Sequence, residues 1–269
     1  MRSVAVVLGA AALLVAGAVA GGARADDAAK KELAPTGKLR VGIAVAPLPG
    51  AGNVARDGAG YRGVAIDLGT ELAGKLGVPV VFVPYENSGA LTDAVESGAW
   101  DVAFLPVDAQ RKKQVNFGSA HIVLQSTWLV APGSRIATLA DVDKDGVRVA
   151  GVENTATARA ATASLKTVNM TLAKNADELF ELLKTGKADA IALSRESLTQ
   201  LSTKLPGSRV LDEAYFRSFI AVAVPKGKPA GLAYASAFVD AAITSGSVRR
   251  ALDSIDMKTS TVPAPGTQP

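Results

Sequence analysis

Arg111 follows an apolar run, Val102 to Leu105, in the segment DVAFLPVDAQRKKQVNF (Asp101 to Phe117). The run reads as a buried strand that breaks at Pro106, after which the chain delivers three cations, Arg111, Lys112 and Lys113. Open α/β sheets place their ligands at the carboxyl ends of such strands. A guanidinium there offers a planar fork of donors that matches a carboxylate two bonds at a time. In a dry cleft that pairing is stronger than on a surface. Lys112 and Lys113 are expected to be solvated. Asp108 is expected to cap the helix that carries Arg111; pairing with Arg111 in an open state, or with a ligand cation, are its other readings.

Other chemistry is narrowed by what the chain lacks. It has no cysteine, which excludes thiol catalysis, cysteine metal sites and a disulfide framework. Its single histidine, His121, has no spaced carboxylates to help it hold a metal. No basic run with interleaved aromatics is present, so nucleic acid is not an expected partner. Neither a cofactor nor a metal is expected.

The elements that position these residues can be read along the chain. MRSVAVVLGAAALLVAGAVAGGARA carries one early cation and a weakly apolar run, and closes on Ala23-Arg24-Ala25. It is expected to be a secretory signal peptide cut after Ala25. The cut removes Arg2 and Arg24, half of a net charge of +4. Residues 26–37 are polar and expected to be loose. Lys38 to Val45 alternates like a strand. Val64, Leu68, Leu72 and Leu76 form one helical stripe, stopped by Gly77. A strand over 78–83, a helix from Ser88 to near Gly98 and a strand over 101–105 complete β-α-β-α-β, the pattern of a parallel sheet with covering helices. The plan returns with a strand over 147–152, an Ala-rich helix from Thr155, a helix capped at Asn175 with Glu178 at its third position, and a strand over 189–193. AVESGAWDVAFL (94–105) can be laid over ELLKTGKADAIAL (181–193), each with a glycine, then an aspartate, then an apolar strand. Two α/β lobes follow, and clefts between lobes are favoured ligand sites.

These motifs together resemble the periplasmic solute-binding proteins of family 3, the polar-amino-acid receptors of ABC importers. They are the strand LRVGIAV, GYRGVAIDL (60–68), SGAWDV (97–102), RKKQVNF (111–117) and GKADA (186–190), and the resemblance spans Lys38 to about Ile255. It implies an α/β, two-lobed type II fold, each lobe a mostly parallel sheet flanked by helices. Lobe 1 would be 38–120 plus 217–256, lobe 2 would be 123–213, and 257–269 would be a flexible tail. Two crossing strands near Ala120 to Ser126 and Tyr215 to Ala221 would make the hinge, with His121, Ala120 and Phe216 in it. The resemblance assigns Arg111 to a ligand carboxylate. It places a second anion contact at Glu153-Asn154-Thr155-Ala156, where helix N-terminal N–H groups favour negative charge. Asn154 there has the alternative of a plain helix cap.

The departures from the family pattern bear on the substrate. The aspartate that holds a ligand ammonium falls on Ser194. Glu196 nearby is read as a solvated helix carboxylate. The early acidic position falls on Ala44, the covering aromatics on Pro47 and Asn87, and a threonine on Pro106, which has no donor. An unpaired ammonium in a dry cleft is costly. The expected ligand is therefore a small carboxylate-bearing solute, amino-acid-like or an organic acid, and not a standard L-amino acid. Its ligand-facing set would be Arg111, Thr155, Asn154, Ser194, Asp108 and Asn87. The expected protein is a monomeric, periplasmic, non-enzymatic receptor that serves a membrane permease. Two alternatives stand beside it: a cyclohexadienyl-dehydratase-like enzyme with Glu153 as acid, and an accessory or sensor protein that has lost transport.

Overall fold

A computed structural model describes residues 26–46, 50, 52, 54–258 and 260–269. The expected signal segment and Pro47 lie outside these residues. Residues 26–33, expected to be loose, form a helix, α1. Ala29 and Leu33, one turn apart, are buried, and Leu33 joins the main core. Four-residue spacing sufficed for one apolar stripe, although the segment is polar overall.

Strand β1 (Leu39–Ala44) is followed by the hairpin β2 (Ala55–Asp57) and β3 (Gly60–Arg62). Helix α2 (Val64–Leu76) buries Val64, Leu68, Leu72 and Leu76 and ends at Gly77, whose φ of 63° suits glycine. Then come β4 (Val80–Tyr85), α3 (Ser88–Asp93) with a 3-10 turn over Ala94–Ser97, β5 (Val102–Pro106) and the one-turn α4 (Arg111–Gln114). The long β6 (Val115–Val130) leads into α5 (Leu139–Val142), β7 (Val149–Val152), α6 (Ala156–Ser164), β8 (Met170–Ala173), α7 (Ala176–Lys184), β9 (Ala190–Ser194), α8 (Arg195–Thr203) and β10 (Arg209–Val210). The return strand β11 (Phe216–Pro225) and helices α9 (Pro229–Thr244) and α10 (Ser247–Ser254) complete the order.

The main sheet runs β4-β1-β5-β11-β6-β9-β7-β8, with β10 beside β6. β1 pairs parallel with β4 and β5, and β7 pairs parallel with β8 and β9. Between these parallel ends, β11 and β6 are antiparallel to each other and to their outer neighbours. The result is a mixed α/β sheet with helices on its faces. One large core draws on residues from Leu33 to Leu124 and from Ile220 to Met257. Two others, built around Leu129 and Trp128, draw on residues between 128 and 211.

The internal sequence repeat has a physical counterpart. Asp101 and Asp189 stand at its matching positions, and each receives the same fork from an arginine across the first parallel pair. Arg40 donates to Asp101 from its backbone N, Nε and Nη2 at 3.0, 2.9 and 2.7 Å. Arg148 donates to Asp189 from the same three atoms at 2.8, 3.0 and 2.6 Å. Each aspartate thus fixes the start of its strand against the neighbouring one.

The C-terminal segment, expected to be a flexible tail, is packed along the edge of β6. Val123 N donates to Thr261 O at 2.8 Å and Ala120 N to Thr267 O at 2.8 Å. Gly266 N reaches Asp240 Oδ1 at 2.7 Å, and Gln268 Nε2 reaches Ser119 Oγ at 3.2 Å. A proline-rich segment does not need every N–H paired to cover a free strand edge.

Candidate functional site

A cavity of ≈ 100 Å³ opens where the carboxyl ends of β1, β5, β7 and β9 meet the middle of β6 and β11. Most of its wall is apolar: Ala44, Pro106, Leu124, Val152, Leu201 and Ile220 all contribute. The polar contributions come from helix starts. Thr155, Ala156 and Thr157 open α6, and Ser194 and Ser197 open α8. Asn87 and Ser88 stand at the start of α3. Glu86, exposed, is the acidic residue on the wall.

Each cap sets the geometry of its helix start. Thr155, with extended backbone, is the N-cap of α6 and accepts from Ala158 N at 3.2 Å. The N–H groups of Ala156 and Thr157 then occupy the first two helical positions, where no intrahelical acceptor exists. Asn154 is not the cap that its residue type suggested. It sits outside the wall in the left-handed region, with φ 56°. Ser194 caps α8, accepting from Ser197 N at 3.3 Å and touching Ser197 Oγ at 2.9 Å. Asn87 caps α3 through Gly89 N and Ala90 N, and its Nδ2 donates to Lys174 O at 2.7 Å on the opposite side. Both sides of the cleft are therefore in contact.

Arg111 is brought near the cavity but not onto its wall. It is 1% exposed. Its Nε donates to Thr92 Oγ1 at 3.0 Å, Nη1 to the Pro106 carbonyl at 3.0 Å and Nη2 to Ser88 Oγ at 2.7 Å. A free guanidinium fork facing a ligand was expected; a fork spent on the loop behind the wall is found. Burial pulls its pKa down to about 10, against the opposing pull of Asp108, so it stays a cation at neutral pH. Ser88 carries the consequence forward. Its Oγ accepts from the guanidinium, which leaves its own O–H to donate elsewhere.

Asp108 also lies off the wall. Its Oδ1 accepts from Arg111 N at 2.8 Å, although Gln110 and not Asp108 stands at the N-cap of α4, and it forms an ion pair with Arg159 of α6. Its carboxylate stands 3.9 Å from Arg111 Nη1. One carboxylate serving two arginines leaves a net positive charge behind Pro106 and Ser88, which favours an anion in front of them. Thr155, Ser194 and Asn87 were named from the sequence and reach the wall. Ser88, Thr157 and Ser197 also do and were missed. The last was signalled by its spacing of three from Ser194 at a helix start. Glu196, read as solvated, is half-buried and faces away from this cavity.

His121 is fully buried on β6 where the register with β11 slips: Ile220 pairs Ile122 while Ala221 pairs Ala120. His121 is thus the extra residue of a bulge, a feature that bends a strand. Ala120 is buried beside it, and Phe216 begins β11 opposite Ser126. The imidazole meets the Phe104 ring edge-on at 5.3 Å, and neither of its nitrogens has a hydrogen-bond partner. Burial alone lowers its pKa from 6.5 to about 3, so the ring is neutral. Below the unfolded value, the unfolded chain binds a proton that the folded chain refuses until pH falls to about 3. Stability is therefore full above pH 6.5 and is lost by up to ~1.4 kcal/mol per pH unit beneath it. Urea unfolding of His121→Phe should show a shallower loss between these limits than the unsubstituted protein. Equal slopes would show that carboxylates set the acid response instead.

Among the described residues, no helix is long and apolar enough to cross a membrane, and no group of three or more histidine, aspartate or glutamate side chains is placed to hold a metal. A family model described as bacterial extracellular solute-binding proteins, family 3, matches residues 39–254. The glutamine-binding protein of Geobacillus stearothermophilus is 27% identical over 133 residues, which cover 49% of this chain and 48% of that relative. The match thus spans about half of that relative's length. The crystal structure of an ancestral amino-acid-binding protein, described as a precursor of cyclohexadienyl dehydratase, aligns with TM-score 0.73 and 26% identity over 84% of this chain and 98% of that one. An ancestral arginine-binding protein bound to glutamine aligns with TM-score 0.72 and 26% identity over 82% and 98%. A mutant of ArgBP from T. maritima, at TM-score 0.74 and 23% identity over 84% and 98%, shares the fold.

Proposed function

This chain belongs to the bacterial extracellular solute-binding proteins, family 3, and from that membership we propose that it binds a small carboxylate-bearing solute in the cavity between its two ends. The carrying observation is a wall with helix-start N–H groups and hydroxyls for an anion and, among the described residues, no buried carboxylate for an ammonium. The N-termini of α6 and α8 both point positive partial charge at it. Arg111 and Arg159, sharing Asp108, add a net cation behind the wall. Arg111 acts there through Ser88 instead of gripping the ligand directly.

Size sharpens the substrate class. A cavity of about 150 Å³ takes benzene, and ordinary ligand pockets run to about 300 Å³ or more. At ≈ 100 Å³ the cleft suits an acid of few heavy atoms and not glutamine or arginine in the same closed arrangement. A short apolar tail would meet Leu124, Val152, Leu201 and Ile220. The lobes, taken as 38–120 plus 217–256 and 123–213, would close on the solute by bending at the bulge of Ala120 and His121 and at Phe216. Delivery of that solute by a monomeric periplasmic receptor to an inner-membrane ABC permease completes the reading. Glu153, the acid that a dehydratase reading would use, stands off the cavity wall, whereas its neighbours Val152 and Thr155 line it.

A thermal-shift series with acetate, propionate, pyruvate, lactate, glutamine and arginine tests this reading. Short monocarboxylates should raise the melting temperature by mass action, and the two amino acids should not. Ala156→Pro removes one N–H at a helix position that tolerates proline, and Thr155 before it is already extended. It should weaken carboxylate binding roughly tenfold, the worth of one charge-assisted hydrogen bond. Tight binding of glutamine or arginine with no response to the short acids would sink the proposal.

A further inference from the structure

A second cavity, of ≈ 180 Å³, lies on the reverse side of the same strand and helix. Leu124 of β6 faces the cleft, whereas Val123 and Gln125 face this cavity, as strand alternation requires. On α8, Ser194, Ser197 and Leu201 face the cleft, while Glu196, Thr199 and Gln200 face the reverse cavity. The spacing in each set is that of one helical face. The third wall is the end of α10 and the C-terminal segment, through Asp256, Met257 and Thr261.

The chemistry of this cavity is one-sided. Glu196 Oε2 and Gln200 Oε1 are buried acceptors without a hydrogen-bond partner among the described residues. Ser260, only 5% exposed, lies against the Glu196 carboxyl from behind this wall. Buried polar atoms are seldom left unmatched, and each costs free energy when it is. Gln200 Nε2 is turned to Ile255 O at 3.4 Å, which leaves the amide oxygen free. Arg195, the one cation on the wall, already donates to Leu211 O at 3.1 Å and Asp212 O at 2.6 Å. Asp256 adds a second carboxylate at the exposed rim, where Lys258 Nζ stands 3.7 Å from it, so the acceptors left without a cation are the buried ones. Desolvation raises the pKa of Glu196, against the weaker opposing pull of Arg195. What the site lacks is therefore a donor carrying positive charge.

We propose that this reverse cavity is a binding site for a small organic ammonium, its N–H groups donating to Glu196 and Gln200. The volume exceeds the ~150 Å³ that accommodates benzene, so it admits more than one water or a bare ion. The site is independent of what the cleft binds, yet touches the same helix: an occupant would press on the face of α8 opposite Ser194 and Ser197. It would therefore couple to the cleft through one rigid element.

Calorimetric titration of the purified protein with methylammonium and ethanolammonium tests the site, with sodium and tetramethylammonium as controls at matched ionic strength. Saturable binding of the primary ammonium ions is expected, with neither control competing. Glu196→Gln and Gln200→Leu should each weaken it at least about tenfold, as loss of a charged or buried acceptor does. Glu196→Gln relieves a buried charge and should fold with an unfolding midpoint no lower than that of the unsubstituted protein. Gln200→Leu relieves an unmatched acceptor but also gives up the 3.4 Å bond to Ile255 O. Its folding equilibrium constant should stay within about fivefold of the unsubstituted protein's, which is about 1 kcal/mol. Ala156→Pro, on the other side of α8, should leave ammonium binding unaltered. The proposal is overturned if no saturable binding occurs, if tetramethylammonium binds as well, or if Glu196→Gln binds undiminished.

Discussion

Arg111→Ala is expected to destabilise the protein by about 3–5 kcal/mol, the scale for removing one member of a buried charged network. The side chain is almost wholly enclosed and ties three parts of the loop system together: Thr92 in α3, the Pro106 carbonyl at the end of β5, and Ser88 at the cavity. Truncation leaves a void and strips the Pro106 carbonyl of its donor. Thr92 Oγ1 keeps its bond to Ser88 O at 2.7 Å, and Asp108 keeps Arg159, so the loss is confined. Arg111→Met would refill the void but not the hydrogen bonds, and should cost about 1–3 kcal/mol, the penalty for buried unpaired groups. Urea unfolding midpoints at constant slope provide the measurement. A surface-type response, within ~0.5 kcal/mol of the unsubstituted protein, would mean that the guanidinium is free for a ligand after all.

That prediction also marks where sequence reasoning stopped. The position of Arg111 past a strand was legible, because strand periodicity and Pro106 locate the sheet edge. Its direction was not, because direction depends on Ser88 and Thr92, distant in sequence and brought close by α3. The repeat around Asp101 and Asp189 was legible as a pattern; its cause, the matching forks from Arg40 and Arg148, appears only when β1 pairs β5 and β7 pairs β9. Helix α1 and the docked C-terminal segment were missed for one reason. Polar or proline-rich composition argues against a core role locally, while Leu33 and Thr261 gain theirs from partners far along the chain. Cap positions were half legible. Thr155, Ser194, Asn87 and Asn175 all cap helices, yet residue type did not separate Thr155 from Asn154.

Departures from the receptor pattern bear directly on the proposed substrate class. Ala44, Pro106 and Ser194 were read as losses of polar or acidic groups, and all three line the cavity. On the proposed reading they turn a site for a zwitterion into a mostly apolar hollow whose helix starts suit an anion. An ammonium there would have only the exposed Glu86 to meet, whereas the reverse cavity offers ammonium-type acceptors and no spare cation. If both proposals hold, the two faces of α8 present opposite polarities of recognition from one nine-residue helix.

Gly89→Val is the substitution expected to act most strongly on binding without disturbing either end of the sheet. Gly89 lies in α3 against Asn154, and a Cβ there would stand 2.3 Å from Asn154 Cβ and 2.7 Å from its carbonyl oxygen. Backbone cannot yield as a flexible side-chain tip does, and Asn154 is already committed to φ 56°. The closed contact must therefore part, and with it the Asn87 to Lys174 bond and the Asp108 to Arg159 pair on either side. Overpacking of this kind costs about 1–3 kcal/mol. Here the cost falls on the closed arrangement and not on the core, because α3 still packs Leu91 beneath it. Affinity for a short carboxylate should drop roughly five- to 150-fold, since each ~1.4 kcal/mol is tenfold. Small-angle scattering should show a larger radius than for the unsubstituted protein under saturating solute, with the stability from urea unfolding lowered by no more than that ~1–3 kcal/mol. Gly89→Ala should lie between the two. Unaltered affinity in Gly89→Val would mean that the solute binds without the Gly89 to Asn154 contact, and that closure across this point is not part of recognition.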